Sequence, residues 1–344
     1  MKKRILAFCL SLICLLSLVA CGKEDEEKGG KKSAFTPLFR FVVAEGRGRE
    51  TRLISLPDSA GFFYLHPNPD GAFTGGFVSP ERSVAAEGFV TLENADFCTI
   101  SESERDRATL VSPDGVTHLL LKEGGAETRA FGDVKADFSH GLYFDELTLL
   151  GVTDSLLVLC PVDLSQTYVL AQKERLPDFA APLAVTHTKT RIWYARGTAG
   201  DYSGISFFEY GKNVPLGSEN FPFHDYEAIG QNAILFTRNL PDGGAMYLYR
   251  NLETDEVFSL TVDQPFNAVT CDPAGTTLCG TLAGASDGSV EIYDLQSGKK
   301  RGSYSSGAGV PADSLAISAD AETLLFSMSM GGDAVLATLD LTQY

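Results

Sequence analysis

Five histidines are the first place to look for chemistry: His66, His118, His140, His187 and His224. An imidazole takes or gives a proton near neutral pH and ligates metals. His66, His140 and His187 each stand near the end of a predicted inner strand. A fold that gathers such strands could bring the three together as an acid–base or metal cluster. The plainer reading is five surface or hydrogen-bonded turn histidines. Around them, the sequence has no G-x-S-x-G, no H-E-x-x-H, no phosphate-binding glycine loop and no C-x-x-C. Asp70, Asp114 and Asp242 each lie in a Pro-Asp-Gly turn, where the carboxylate bonds local backbone. No D-x-D-x-D-G loop with a distal Glu accompanies them. The expectation is therefore no catalytic residue, no metal ligand and no cofactor.

The elements that would position any site are strands. Asn267–Lys299 shows the plan most clearly. A short apolar run, Asn267–Cys271, meets the turn Asp272-Pro273-Ala274-Gly275, where Pro presets φ and Gly takes positive φ. Thr276–Ala283 returns, Ser286-Asp287-Gly288 turns, and Ser289–Leu295 alternates apolar with acidic residues. Gln296-Ser297-Gly298 turns again into a polar strand, Lys299–Ser305. Weaker copies begin near 61, 97, 136, 182, 226 and 314. Four strands in roughly forty residues is the period of a β-propeller blade. The fold expected is all-β, a seven-bladed β-propeller over 35–344. Six or eight blades also fit, because two extra strand candidates, Phe35–Ala44 and Thr51–Leu56, precede the first unit. The last unit has only three strands, so an N-terminal strand is expected to complete it and close the ring. Trp193 falls in a strand, Arg191-Ile192-Trp193-Tyr194, and is expected in the core. The glycine-rich stretch Gly197–Gly204 reads as a loop between strands.

Asp287–Lys299, DGSVEIYDLQSGK, resembles the third-strand signature of WD40 and YVTN-type repeats. Tyr293 stands where many WD40 repeats carry Trp. The structural Asp and the Gly-His dipeptide of strong WD40 repeats are absent, so the resemblance is to a WD40-like propeller.

The first 34 residues carry an address. Lys2, Lys3 and Arg4 precede an apolar stretch, Ile5–Ala20, too short for a comfortable membrane span. It ends in Leu18-Val19-Ala20-Cys21, which resembles the lipobox of bacterial lipoproteins. That resemblance implies a signal peptide over 1–20, cleavage before Cys21 and lipid (palmitate) attachment at Cys21. Each buried CH₂ of the acyl chains contributes about 0.8 kcal/mol of membrane affinity. Residues 21–34 then read as a lipidated Cys and a charged, flexible tether. The implied location is the bacterial cell envelope, on the periplasmic face or at the cell surface. The acidic run after Cys21 is similar to the surface-export signal of some Gram-negative lipoproteins.

Loss of the three basic leader residues moves the net charge from −17 to −20, with 25 Lys and Arg against 45 Asp and Glu. That argues against nucleic acid or an anionic membrane face as partner. Cys9 and Cys14 leave with the leader. Cys98, Cys160, Cys271 and Cys279 remain beside Cys21. Cys271 and Cys279 could be joined across one hairpin in an exported protein, or be small buried strand residues, the plainer reading. Two functions fit. One is a non-catalytic scaffold, membrane-anchored through its lipid, that binds an envelope protein or a glycan. The other is a propeller-type hydrolase or lactonase with its site at the channel mouth.

Overall fold

The computed structural model describes residues 35–42, 52–55, 61–67, 72–78, 84–93, 97–100, 107–112, 115–122, 125–131, 140–145, 148–161, 166–186, 191–212, 214–230, 232–282, 289–305, 314–330 and 333–344. Cys21, the leader, the tether and His187 lie outside them.

The described strands form seven four-stranded antiparallel sheets. After β1 (Phe35–Val42), sheet I is β2 (Arg52–Ser55), β3 (Phe62–Pro67), β4 (Ala72–Val78) and β5 (Val84–Glu93). Sheet II is β6 (Phe97–Ile100), β7 (Arg107–Ser112), β8 (Gly115–Lys122) and β9 (Gly125–Phe131). Sheet III is β10 (His140–Asp145), β11 (Thr148–Val152), β12 (Leu156–Pro161) and β13 (Tyr168–Gln172). Sheet IV is β14 (Phe179–Thr186), β15 (Arg191–Thr198), β16 (Asp201–Glu209) and β17 (Pro215–Phe223). Sheet V is β18 (Asp225–Ile229), β19 (Ala233–Asn239), β20 (Ala245–Asn251) and β21 (Val257–Val262). Sheet VI is β22 (Phe266–Cys271), β23 (Thr277–Leu282), β24 (Val290–Asp294) and β25 (Lys299–Tyr304). Sheet VII holds β26 (Ser314–Ile317), β27 (Thr323–Met330) and β28 (Asp333–Asp340), and its fourth strand is β1.

Thus the expected N-terminal donor is β1, which pairs antiparallel with β28 from Phe35↔Leu339 to Val42↔Asp333. The first unit differs from the sequence reading. Its first strand is β2, not the segment near 61; β3 is the second strand. β2 falls within the strand candidate Thr51–Leu56, and its pairing with β3 makes it part of the first unit rather than an extra strand before it.

Burial follows position in the sheet. The second strands are continuously buried: Ile192–Ala195 in β15, Ala233–Phe236 in β19, Thr277–Thr281 in β23. Neighbouring sheets cover both their faces, so apolar–polar alternation is lost there. The fourth strands β17 and β25 are mostly exposed. The core therefore lies between sheets. Leu150, Leu157 and Leu159 of sheet III pack with Val185, Ile192 and Phe208 of sheet IV. Leu53, Phe62 and Tyr64 of sheet I pack with Ala316, Leu325 and Leu336 of sheet VII. Successive sheets touch through β5 and β9, β6 and β10, β10 and β14, β17 and β19, β18 and β22, and β22 and β26; sheet VII in turn touches sheet I through β26 and β2.

Sheets VI and VII share one hairpin chemistry. The Asp272 carboxylate accepts from the N–H of Ala274 at 3.1 Å and Thr276 at 2.8 Å, and Gly275 turns the chain at φ 66°. In sheet VII, Ser318 Oγ accepts from Thr323 N–H at 3.0 Å, and Ala321 takes the turn at φ 60°. A second device recurs after the third strands. Buried Leu252, Leu295 and Leu341 donate their N–H to the carbonyls of Asn232, Thr276 and Glu322, at 2.7, 2.9 and 2.8 Å. The preceding Asn251, Asp294 and Asp340 accept turn N–H groups through their side chains.

Candidate functional site

The histidines do not share one position in the repeat. His66 lies on the second strand of sheet I, opposite Thr74. His118 lies on the third strand of sheet II. His140 opens the first strand of sheet III, and His224 directly precedes the first strand of sheet V. His224 Nδ1 accepts from Asn239 N–H at 3.1 Å, the turn role of the plainer reading. Among the described residues no three of His, Cys, Asp and Glu are grouped so as to hold a metal.

The polar contact between first strands lies elsewhere. Glu227 of β18 reaches across to β22, where Thr270 Oγ1 donates to its Oε1 at 3.1 Å. Glu227 is partly buried. Burial pushes its pKa up to about 8; the Thr270 hydroxyl opposes the shift and Asp225 adds to it. Near neutral pH Glu227 is therefore largely a neutral acid, able to donate as well as accept. Beside it, burial raises the Cys271 thiol well above its ordinary range, with Glu227 and Asp272 adding to the shift. Cys271 is a buried, inert thiol rather than a nucleophile.

Cys271 and Cys279 are both free. Cys271 pairs with Leu278, and Cys279 with Thr270. Cross-strand partners share a face and successive residues alternate, so the two thiols point to opposite faces. Cys271 packs toward sheet V and Cys279 toward sheet VII.

Between sheets IV and V lies a forked ion pair. Arg250 of β20 forks onto Glu219 of β17, with Nη2 to Oε1 at 2.7 Å and Nη1 to Oε2, and Nη2 also donates to Asp255 at 3.3 Å. Its guanidinium lies 5.7 Å from the ring centre of buried Trp193, which is a core residue as expected. Burial lowers the Arg250 pKa, but bonds to Glu219 and Asp255 more than offset it, and the net shift is upward. Gly197–Gly204 is not a loop throughout: it contains the β15–β16 hairpin.

No known protein-family model matches the sequence, and no curated protein matches it. Solved structures do match. The chain is similar to the β-propeller domain of Cps50 (Swd1) from Myceliophteria thermophila, at 9% identity and TM-score 0.56, over 87% of this chain and 99% of that one. It is similar to hydrazine synthase of Kuenenia stuttgartiensis, at 9% identity and TM-score 0.57, over 86% and 98%. A chain of the mitotic checkpoint complex matches at 12% identity and TM-score 0.52, over 90% and 96%. The fold is a β-propeller. At such identities the likeness is one of fold, and propellers carry both binding and catalytic functions.

Among the described residues the large apolar ones left in solvent are Tyr168 and Val169 at 58% and 61% exposure, Tyr210 at 53%, Val214 at 52%, Leu216 at 43% and Val257 at 48%. All lie on or next to the fourth strands β13, β17 and β21 of three successive sheets. Exposed apolar surface gathered in one sector marks a contact face more often than chance. Nothing in the sequence marks these residues, because a Val or Tyr in an outer strand has the same local pattern as one in the core.

Proposed function

We propose that this chain is a lipid-anchored envelope lipoprotein whose propeller is a non-catalytic scaffold for protein binding. The observation that carries the binding role is the exposed apolar sector on sheets III to V. The matching chain in the mitotic checkpoint complex is a propeller within a multi-protein assembly, which is consistent with that use. The seven sheets are seven blades of one WD40-like ring, and β1 closes it by completing the last blade. The contacts from each sheet to the next, including VII to I, support this reading. The anchor rests on the sequence: Lys2–Arg4, the apolar stretch and Leu18-Val19-Ala20-Cys21 follow one another in lipoprotein order. Residues 1–20 are removed, Cys21 carries the acyl chains, and 22–34 spaces the propeller from the membrane. A clickable palmitate analogue fed to cells making the protein should label it and place it in the membrane fraction. Cys21→Ser should abolish the label and release the protein. An unlabelled wild-type chain in the soluble fraction would refute the anchor.

A further inference from the structure

The exposed apolar residues share more than a sector. Tyr168 and Val169 are the first two residues of β13, and Val257 is the first of β21. Val214 and Leu216 flank the start of β17, and Tyr210 is in the turn that leads into it. All six therefore stand at the hairpin joining the third strand to the fourth, the same rim of three adjacent blades. Tyr210 links two of them: its ring centre lies 5.4 Å from that of Phe144, near the end of β10 in sheet III. The row stops at sheet VI. There the equivalent hairpin is polar and exposed, Gln296-Ser297-Gly298-Lys299-Lys300.

Among the described residues of this rim, acidic side chains outnumber basic ones. Glu253, Asp255 and Glu256 stand at the sheet V hairpin, and Glu219 on β17. The described cations nearby each face a carboxylate: Arg250 faces Glu219 and Asp255, and Lys212 at 2.5 Å and Arg191 at 4.0 Å share Glu209. A partner segment with acidic residues would be repelled, and one with Lys or Arg between its apolar residues would be steered in. We propose that this rim of sheets III to V docks a protein segment in which apolar side chains alternate with basic ones. The apolar residues supply the buried contact and the acidic flank supplies selectivity. This inference rests on the protein-binding reading and adds the place and the chemistry of the partner.

The test is site-specific photocrosslinking of the full chain in the cells that make it. Benzoylphenylalanine is placed at Tyr168, Tyr210 or Val257, and at Lys299 of β25 as the comparison position. Protein adducts are expected at the first three and not at Lys299. Mass spectrometry should map the captured residues to an apolar segment rich in Lys and Arg. Combining Tyr168→Ser with Val169→Ser, both on the surface, should leave the melting curve unchanged and cut the adduct at Val257 about tenfold. Raised salt should weaken capture in permeabilised cells. Adducts only or equally at Lys299 would overturn the rim assignment while leaving protein binding intact. Adducts with a second copy, with lipid or with an acidic segment would overturn the proposed partner. No protein adduct at any position would overturn the binding reading itself.

Discussion

Replacing Glu227 by Gln should change how stability depends on pH. Gln keeps the carbonyl that accepts the Thr270 hydroxyl at 3.1 Å and removes the ionisation. In the folded protein the carboxyl titrates at about 8, against an ordinary value of 4.5. The folded pKa is raised, so the unfolded chain loses its proton first as pH rises. Stability is therefore lost between about pH 4.5 and pH 8 and stays low above it. At about 1.4 kcal/mol per pH unit the full shift gives a ceiling of about 5 kcal/mol, and solvent access to this partly buried residue reduces it to roughly 2–4 kcal/mol. The Cys271 thiol, raised well above its range, stays neutral through this window and adds no competing step. Urea unfolding of wild type and Glu227→Gln at pH 4.5, 6, 7.5 and 9 measures the difference. Near-equal stability at pH 4.5 is expected, with the variant ahead by about 2–4 kcal/mol at pH 9. Parallel curves across the range would show that the carboxyl is not held between β18 and β22 as described.

Ala321, at φ 60°, does the work that Gly275 does at φ 66°. Ala321→Gly should stabilise by about 0.5–1 kcal/mol, seen as a higher unfolding midpoint, and a lower one would refute the turn assignment. Gly275→Ala should destabilise by about 2 kcal/mol or more, because its new Cβ would lie 2.6 Å from the Tyr249 ring. Arg250→Ala strips the seam between sheets IV and V of its fork onto Glu219 and leaves Glu219 and Asp255 side by side. A loss of about 2–3 kcal/mol is expected from urea unfolding, and a loss within experimental error would mean that solvent already screens the pair.

The parts of the fold legible in the sequence were those with a local signature. The four strands of sheet VI announced themselves through the Asp-Pro-Ala-Gly turn and the alternation around Val290 and Ile292. The three-strand last unit called for an N-terminal partner, and β1 supplies it. A further local signal was there to read: Asp163-Leu164, Asn251-Leu252, Asp294-Leu295 and Asp340-Leu341 recur. In the last three the polar residue caps the turn and the Leu is buried behind it. What could not be read was set by distance along the chain. Asp225-Tyr226-Glu227 looks like a strand with acids in water, and nothing near it announces Thr270, 43 residues away. Arg250 between Tyr249 and Asn251 gives no hint of Glu219 either. The idea of a histidine cluster shows the same limit. His66, His140 and His187 suggested equivalent inner-strand ends, but His66 lies near the end of a second strand, His140 opens a first strand, and His187 is outside the described residues.

The proposed ring stands on the pairing of β1 with β28. A chain shortened to begin after Val42 leaves β28 as an open edge on sheet VII. Its melting temperature should fall well below that of the intact chain, and a synthetic peptide of residues 35–42, FTPLFRFV, should bind it and restore most of the loss. A shortened chain that melts with the intact one and ignores the peptide would contradict the closed ring.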